Sequence, residues 1–308
     1  MELILPVKKI FMPQFERYEP LARDHTATIA FKACARLYFY KIVLGFTERL
    51  TPPYFKFGQA YHLFREHLEN AFIAGKSENE CFILGLTAAV NHMGKKDPPA
   101  GSKWDFLTLP RLIKSCEYAF KQWKKEKAQK KIIVLAVEQP FDVVMKDGKT
   151  RRGGKADQFV KWMGKHTGRD WKTSSKTPGW YDRTLDPNDQ FTGYIWGLKK
   201  LSGQEVNQLI IDVMFNNKTS GPKIQPYLAT RTSWQLDKWE EEQILLERQI
   251  DVSRAEDIWP MCEHSCAFCE FRSVCKKGTE ASQAHQLKSE FKQLPWDYKN
   301  IDKRNEAA

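Results

Sequence analysis

The sequence contains no apolar run of transmembrane length, and its start, Met1-Glu2-Leu3-Ile4, lacks the basic-then-apolar pattern of a secretory leader. Both absences point to an intracellular, cytoplasmic chain with no membrane partner. It has no phosphate-binding loop of the G-x4-G-K-(S/T) type, so no nucleotide-driven motor is encoded. Internal repeats and low-complexity tracts are also missing. In an intracellular chain the seven cysteines do not read as a disulfide framework.

What is present is ordinary in bulk and particular in detail. The 308 residues suffice for one large domain or two ordinary ones with a buried core. A formal net charge of +11 favours a polyanionic partner over an acidic one. Ten Trp, ten Tyr and 19 Phe supply mostly core, with some flat surfaces able to stack on bases.

Residues 1 to about 50 mix charge with aromatics and place Cys34 in a helical stretch, Phe31 to Tyr40. Helical spacing marks about Phe57–Ala74, which Gly75 closes, then Glu78–Met93 and Leu109–Ala128, with a Pro/Gly loop at Lys95–Lys103. Strand signals follow at Ile132–Val137, Phe141–Met145, Gly154–Trp162 and His166–Thr173, punctuated by Asp147-Gly148 and Gly164. Asp186-Pro187 reads as the start of a helix running to Leu201 before Gly203. Strands are expected at Gln208–Phe215 and near Tyr227–Thr232, and Ser233 caps a last long helix to Val252. The expected fold class is α/β, a mixed central β-sheet flanked by helices with an N-terminal helical region. The boundaries are 1–130 for that region, 131–255 for the sheet core, 256–278 for a cysteine segment and 279–308 for a tail.

Two short signatures carry chemistry: Gly154-Lys155-Ala156-Asp157, then Asp170-Trp171-Lys172. Asp157 and Asp170 fall in neighbouring strands of a predicted hairpin, which brings two carboxylates together. Strand alternation aims Asp170 and Lys172 at one face. Paired carboxylates can grip a divalent cation, and a nearby ammonium can serve a water nucleophile or a developing phosphorane charge. Taken alone, D-x-K is most often surface decoration. Gly154 would allow a close backbone approach. Gln190 and Tyr194, four apart, share a helical face and can hydrogen-bond a phosphate or the lysine. His62 lies on a helix, where a single His is more often structural; His67 is turned well away from it. Glu138, ending an apolar strand, is a weaker acidic candidate.

Cys266, Cys269 and Cys275 form C-x2-C-x5-C. Three local thiolates imply a metal whose fourth ligand comes from elsewhere. Zinc could take Cys262 or His264; an iron–sulfur cluster could take the distant Cys34. Cys81 and Cys116 read as buried small hydrophobes.

In this order the motifs resemble the RecB-like branch of the PD-(D/E)XK nuclease superfamily in its iron–sulfur form, found in AddB-type and CRISPR-associated RecB-like nucleases. The resemblance runs from Cys34 to Cys275. It implies a restriction-endonuclease-like core with a C-terminal cluster segment. It also implies that His62, Asp157 and Asp170 bind Mg²⁺ or Mn²⁺, assisted by the Trp171 carbonyl, while Lys172 positions or activates the water. Gln190 and Tyr194 would orient Lys172 and the DNA strand. Cys34, Cys266, Cys269 and Cys275 would ligate a structural [4Fe–4S] cluster. Ala35 departs from the proline common there, and Cys262 is an extra thiol.

The expected activity is therefore a metal-dependent DNA exonuclease acting on single strands or ends, in recombination, repair, phage DNA metabolism or CRISPR spacer processing. Recombination or CRISPR adaptation proteins are the expected protein partners. The lysine run from Lys121 to Lys131 adds basic surface, although such runs are more often solvated helix ends. The alternative is an inactive DNA-binding or scaffold protein that keeps a cluster or zinc site.

Overall fold

A computed structural model describes residues 11–94 and 97–299. In chain order the elements are α1 (His25–Ala33), α2 (Ala35–Tyr38), β1 (Phe46–Glu48), α3 (Pro53–Ile73), α4 (Glu78–Met93), α5 (Leu109–Gln129), β2 (Ile132–Val144), β3 (Arg151–Trp162) and β4 (Lys165–Ser174). They continue with α6 (Pro178–Leu185), α7 (Asp189–Ser202), β5 (Gln208–Phe215), β6 (Lys223–Thr230), α8 (Ser233–Glu256), α9 (Arg272–Cys275), α10 (Glu280–Glu290) and β7 (Phe291–Gln293). A π-helical turn, Phe39–Val43, follows α2, and a 3₁₀ segment, Glu263–Phe268, precedes α9. Lys95 and Lys96, within the expected loop, lie outside the described residues. No described helix is long and apolar enough to cross a membrane.

The described residues pack as two units. The sheet unit comprises 51–143 and 152–239. Its five strands run in the order β2-β3-β4-β5-β6, with β3–β4 and β5–β6 antiparallel and β4–β5 parallel. The parallel pair requires a crossover, which α6 and α7 provide. This is the mixed α/β sheet expected from the sequence. The β3–β4 hairpin turns through Met163 and Gly164, both at positive φ (47° and 83°), the backbone that matches strand twist in a tight turn. Helix α4 starts at a capping box in which Ser77 and Glu80 satisfy each other's backbone amides. Phe57, Tyr61, Phe64, Leu112, Trp123 and Trp171 are among the buried residues that join α3, α4 and α5 to the sheet.

Several expected boundaries move. The two strands at 132–137 and 141–145 are one, β2, whose interior residue Glu138 takes φ +51°. That left-handed step, with Pro140 close behind, is what splits the pattern when it is read linearly. Asp186 does not start a helix; it ends α6. Asn188 accepts the Phe191 N–H (3.2 Å) and starts α7, while Asp186 binds Arg231 (2.6 Å). Helix α6 was not expected from the sequence. Thr232, not Ser233, caps α8, exchanging hydrogen bonds with Gln235 (2.8 and 3.2 Å), and the helix runs to Glu256.

The cysteine unit comprises 11–50, 144–151 and 240–299. Its core is aromatic: Trp259 stacks on Tyr38 and Phe39 (5.9 and 5.2 Å), and Phe271 stacks on Phe291 (4.7 Å). Asp257 gathers the Phe11 N–H (2.5 Å), Arg17 (2.8 and 3.0 Å) and the Trp259 indole (3.1 Å). Burial works against its charge, but Arg17 and the two N–H donors hold its carboxyl below the usual range. The Asp147-Gly148 turn is present: Gly148 has φ +71°, and Asp147 accepts from Lys149 and Thr150.

Candidate active site

Asp157 on β3 and Asp170 on β4 are buried, at 6% and 0% exposure. One Asp157 oxygen, Oδ2, accepts the Trp171 N–H at 2.6 Å and lies 3.4 Å from His62 Nδ1 on α3. Asp170 Oδ1 accepts Lys172 Nζ at 2.8 Å. Its other oxygen, Oδ2, is buried without a hydrogen-bond partner among the described residues. Trp171 points the opposite way, wholly buried, with Arg65 over its ring at 4.8 Å. Strand alternation thus divides β4 into a charged face and a packed one.

These charges control one another. Burial alone would lower His62, but Asp157 outweighs it and raises the imidazole. Burial would raise Asp157; His62, Lys172 and the Trp171 N–H bring it below the usual carboxylate range. For Asp170 burial wins, and with Asp157 close by the carboxyl is pushed up to about 6 against the pull of Lys172. Lys172 opposes its own burial through Asp170, Tyr194 and Asp157, so its ammonium is held above the ordinary lysine value.

Helix α7 supplies the next layer. Gln190 Nε2 donates to the Tyr194 hydroxyl at 2.9 Å, as their spacing predicts. Burial raises the Tyr194 phenol, which lies within electrostatic reach of Lys172 and Asp170. Gly154 serves a different purpose from the expected backbone approach. A Cβ there would meet the Phe141 ring at 2.4 Å, and one at Gly197 on α7 would meet it at 2.5 Å. Phe141 is seated between these two notches and meets Tyr194 edge-on, 6.5 Å between centroids. The glycines set how closely α7 approaches β3.

Glu138 stands nearer to this chemistry than its weak sequence signal implied. Burial, then Asp157, raises its carboxyl to about 7, while Lys155 pairs with it at 2.5 Å and opposes the shift. The left-handed step in β2 leaves Glu138 half-buried rather than at an exposed strand end. His67 is exposed, as its angular position predicts. Two lysines of the basic run are paired, Lys124 with Glu78 and Lys127 with Glu69, both at 2.9 Å. The packed face of the sheet carries Arg169, bound by Asp212 and by both oxygens of Glu126. A cavity of about 520 Å³ there is lined by Trp123, Trp162, Arg169 and Asp212 and includes none of the candidate site residues.

His62, Asp157, Asp170, Lys172, Gln190 and Tyr194 are therefore brought into one neighbourhood. No group of three or more His, Cys, Asp and Glu side chains stands at metal-ligand spacing among the described residues. The donors that could hold a metal are the Asp170 oxygen without a partner, Asp157 and His62. The seven cysteines are all free thiols, and Cys81 and Cys116, in the sheet unit, are fully buried as expected. Cys34 is buried and its Sγ accepts the Cys262 N–H at 3.3 Å, a contact spanning 228 residues. Burial raises the Cys275 thiol to about 11, with the Cys269, Cys34 and Cys266 sulfurs adding to the effect. The four thiols thus share one neighbourhood.

A solved structure of a candidate exonuclease from Eubacterium rectale is similar over 84% of this chain and 91% of its own, at 12% identity and a TM-score of 0.51. At that identity the likeness concerns the fold. An alkaline exonuclease from Laribacter hongkongensis matches 58% of this chain and 82% of its own at 12% identity, with a TM-score of 0.29. No curated protein matches the sequence. The family model of the PD-(D/E)XK nuclease superfamily matches residues 25–276, most of the chain, and the protein belongs to that superfamily.

Proposed function

We propose that this protein is a Mg²⁺- or Mn²⁺-dependent deoxyribonuclease, an exonuclease acting on single strands or DNA ends. The reading rests above all on Asp170, a fully buried carboxylate with one oxygen on Lys172 and the other without a hydrogen-bond partner. Leaving such an atom unsatisfied costs about 1–3 kcal/mol. A cation would satisfy it. The donor set suits a hard divalent ion: carboxylate oxygens with one imidazole. His62, Asp157, Asp170 and the Trp171 carbonyl would hold it. Bound there, a metal supplies Lewis-acid polarisation of the phosphate and a water of lowered pKa.

The chain's own groups would do the rest. Asp170 and Asp157 keep Lys172 cationic, so its ammonium orients the attacking water and meets the negative charge that develops on the phosphate. Gln190 fixes the Tyr194 hydroxyl, which limits where Lys172 can go. Asp157 holds the His62 ring by its Nδ1 edge. DNA is the substrate this arrangement suits, with the basic balance contributing salt-sensitive affinity. Recombination or CRISPR adaptation proteins are the partners that would place such an enzyme in a pathway.

The cysteine unit, on the same reading, holds a [4Fe–4S] cluster through Cys34, Cys266, Cys269 and Cys275. Four neighbouring thiols with no disulfide support it, and the soft donors suit iron–sulfur or zinc. Its role would be structural, tying α1 and α2 to the C-terminal segment. Labelled single- and double-stranded DNA with Mn²⁺, comparing wild type with Asp170→Ala and Lys172→Ala, tests the nuclease. Equal degradation by all three proteins would remove this centre from consideration. Iron and sulfide analysis of anaerobically purified protein tests the cluster, and stoichiometric zinc without sulfide would replace it.

A further inference from the structure

Helix α6 leaves the end of the strand that carries Lys172. It bears Trp180, an indole 48% exposed, with Lys176 Nζ held 4.8 Å from the ring centroid. A half-exposed tryptophan beside an unburied ammonium is a poor core residue. It is, however, suited to a base and its phosphate. The surrounding structure fixes this pair in place. With its side-chain amide turned so that the nitrogen faces them, Asn217 donates to the Ser175 and Lys176 carbonyls (2.7 and 3.0 Å), anchoring the loop before α6. Tyr181, next to Trp180, packs edge-on against Phe215 (5.8 Å) and against Tyr227 (5.7 Å), whose hydroxyl donates to the Pro178 carbonyl (3.4 Å). Tyr181 also lies within electrostatic reach of Lys172 and Asp170, which sets α6 at the rim of the charged site.

We infer that Trp180 and Lys176 form a strand clamp. The indole stacks on an unpaired base of a single DNA strand, and the ammonium meets an adjacent phosphate, next to the bond to be cut. The inference rests on the nuclease reading and deepens it. Stacking requires a base already out of a duplex, so the clamp gives the site a preference for single strands or frayed ends. Duplex DNA satisfies its bases internally and gains little from the indole. Preorganisation by Asn217, Phe215 and Tyr227 means little ordering is needed when the strand arrives.

The test uses the full chain and a single-stranded oligonucleotide carrying 2-aminopurine, in Mn²⁺ for turnover and without divalent ions for binding. Trp180→Ala raises KM for the single strand roughly tenfold or more while kcat stays within about twofold, and Trp180→Phe recovers most of the loss. Lys176→Ala lowers the slope of log affinity against log salt by about one. Wild type quenches the 2-aminopurine fluorescence and Trp180→Ala does not. Because the indole is half exposed, the melting temperature of Trp180→Ala stays near wild type, which separates clamping from folding. A Trp180→Ala protein with wild-type KM and intact quenching would overturn the clamp while leaving the nuclease standing. A wild-type protein that cuts no DNA removes the nuclease reading. The quenching comparison then decides the clamp alone, by the same two outcomes.

Discussion

The two units solve the problem of buried polar chemistry in opposite ways. In the sheet unit the reactive groups come from a short span of sequence. Asp157, Asp170 and Lys172 sit on one hairpin, and Gln190 and Tyr194 on α7, the second helix after it, so register and helical pitch assemble most of the site. In the cysteine unit the groups are far apart in the chain: Cys34 meets Cys262 across 228 residues. A hairpin makes its contacts cheaply in chain entropy; a long closure does not. The first unit therefore tolerates an unsatisfied charge for function, whereas the second gains from any bond that ties its ends.

That contrast can be broken in order of expected effect. Lys172→Ala or Asp170→Asn should lower DNA cleavage by about a thousandfold or more while the protein stays folded. Asp170→Asn should also leave the melting temperature unchanged or higher, since a buried charge has gone. A fall in both activity and melting temperature would make Asp170 a structural residue. Cys34→Ser should act on stability first. It should lose bound iron and cost about 2–5 kcal/mol by the loop-closure argument, read as an earlier unfolding transition. Iron content and melting equal to wild type would show that Cys34 ties nothing.

Gly154→Ala pushes a methyl into the Phe141 ring, so it should cost about 1–3 kcal/mol and reduce cleavage by displacing Tyr194. Adding Phe141→Leu should restore part of both, and its failure to do so would deny the wedge. The smallest effect is at Asp257. Its carboxyl is depressed in the folded state, so its stabilisation is full above the usual aspartate pKa of about 4 and is lost as pH falls through the lower folded value. Asp257→Asn should remove about 1 kcal/mol at neutral pH and flatten the acid limb of a denaturation profile. An unchanged limb would assign the acid sensitivity elsewhere.

The sheet unit was largely legible because its chemistry repeats with the period of its elements. Asp170 and Lys172 share a face by strand alternation, and Gln190 and Tyr194 by helical pitch. What escaped was set by backbone breaks and by packing. The left-handed Glu138 divided β2 into two apparent strands and hid a half-buried acid beside Asp157. Helix α6, only eight residues long, escaped, and Trp180 with it. Gly154 reads as room for a close backbone approach, whereas the Phe141 ring fills the space. The grouping of Cys34 with the C-terminal thiols has no periodic signal; C-x2-C-x5-C asks only for a fourth ligand from elsewhere, and the resemblance selects Cys34 among the candidates.

Phe141, Gly154 and Gly197 behave as lock and key within one chain. None of the three carries a reacting atom, yet the ring fixes the height at which Tyr194 stands over the charged strands. A relative that shortens position 141 gains room for side chains at both glycine positions, while one that keeps the ring must keep both notches. The three positions should therefore vary together or not at all. Redesigning this centre for another substrate would begin with that spacer before touching any carboxylate.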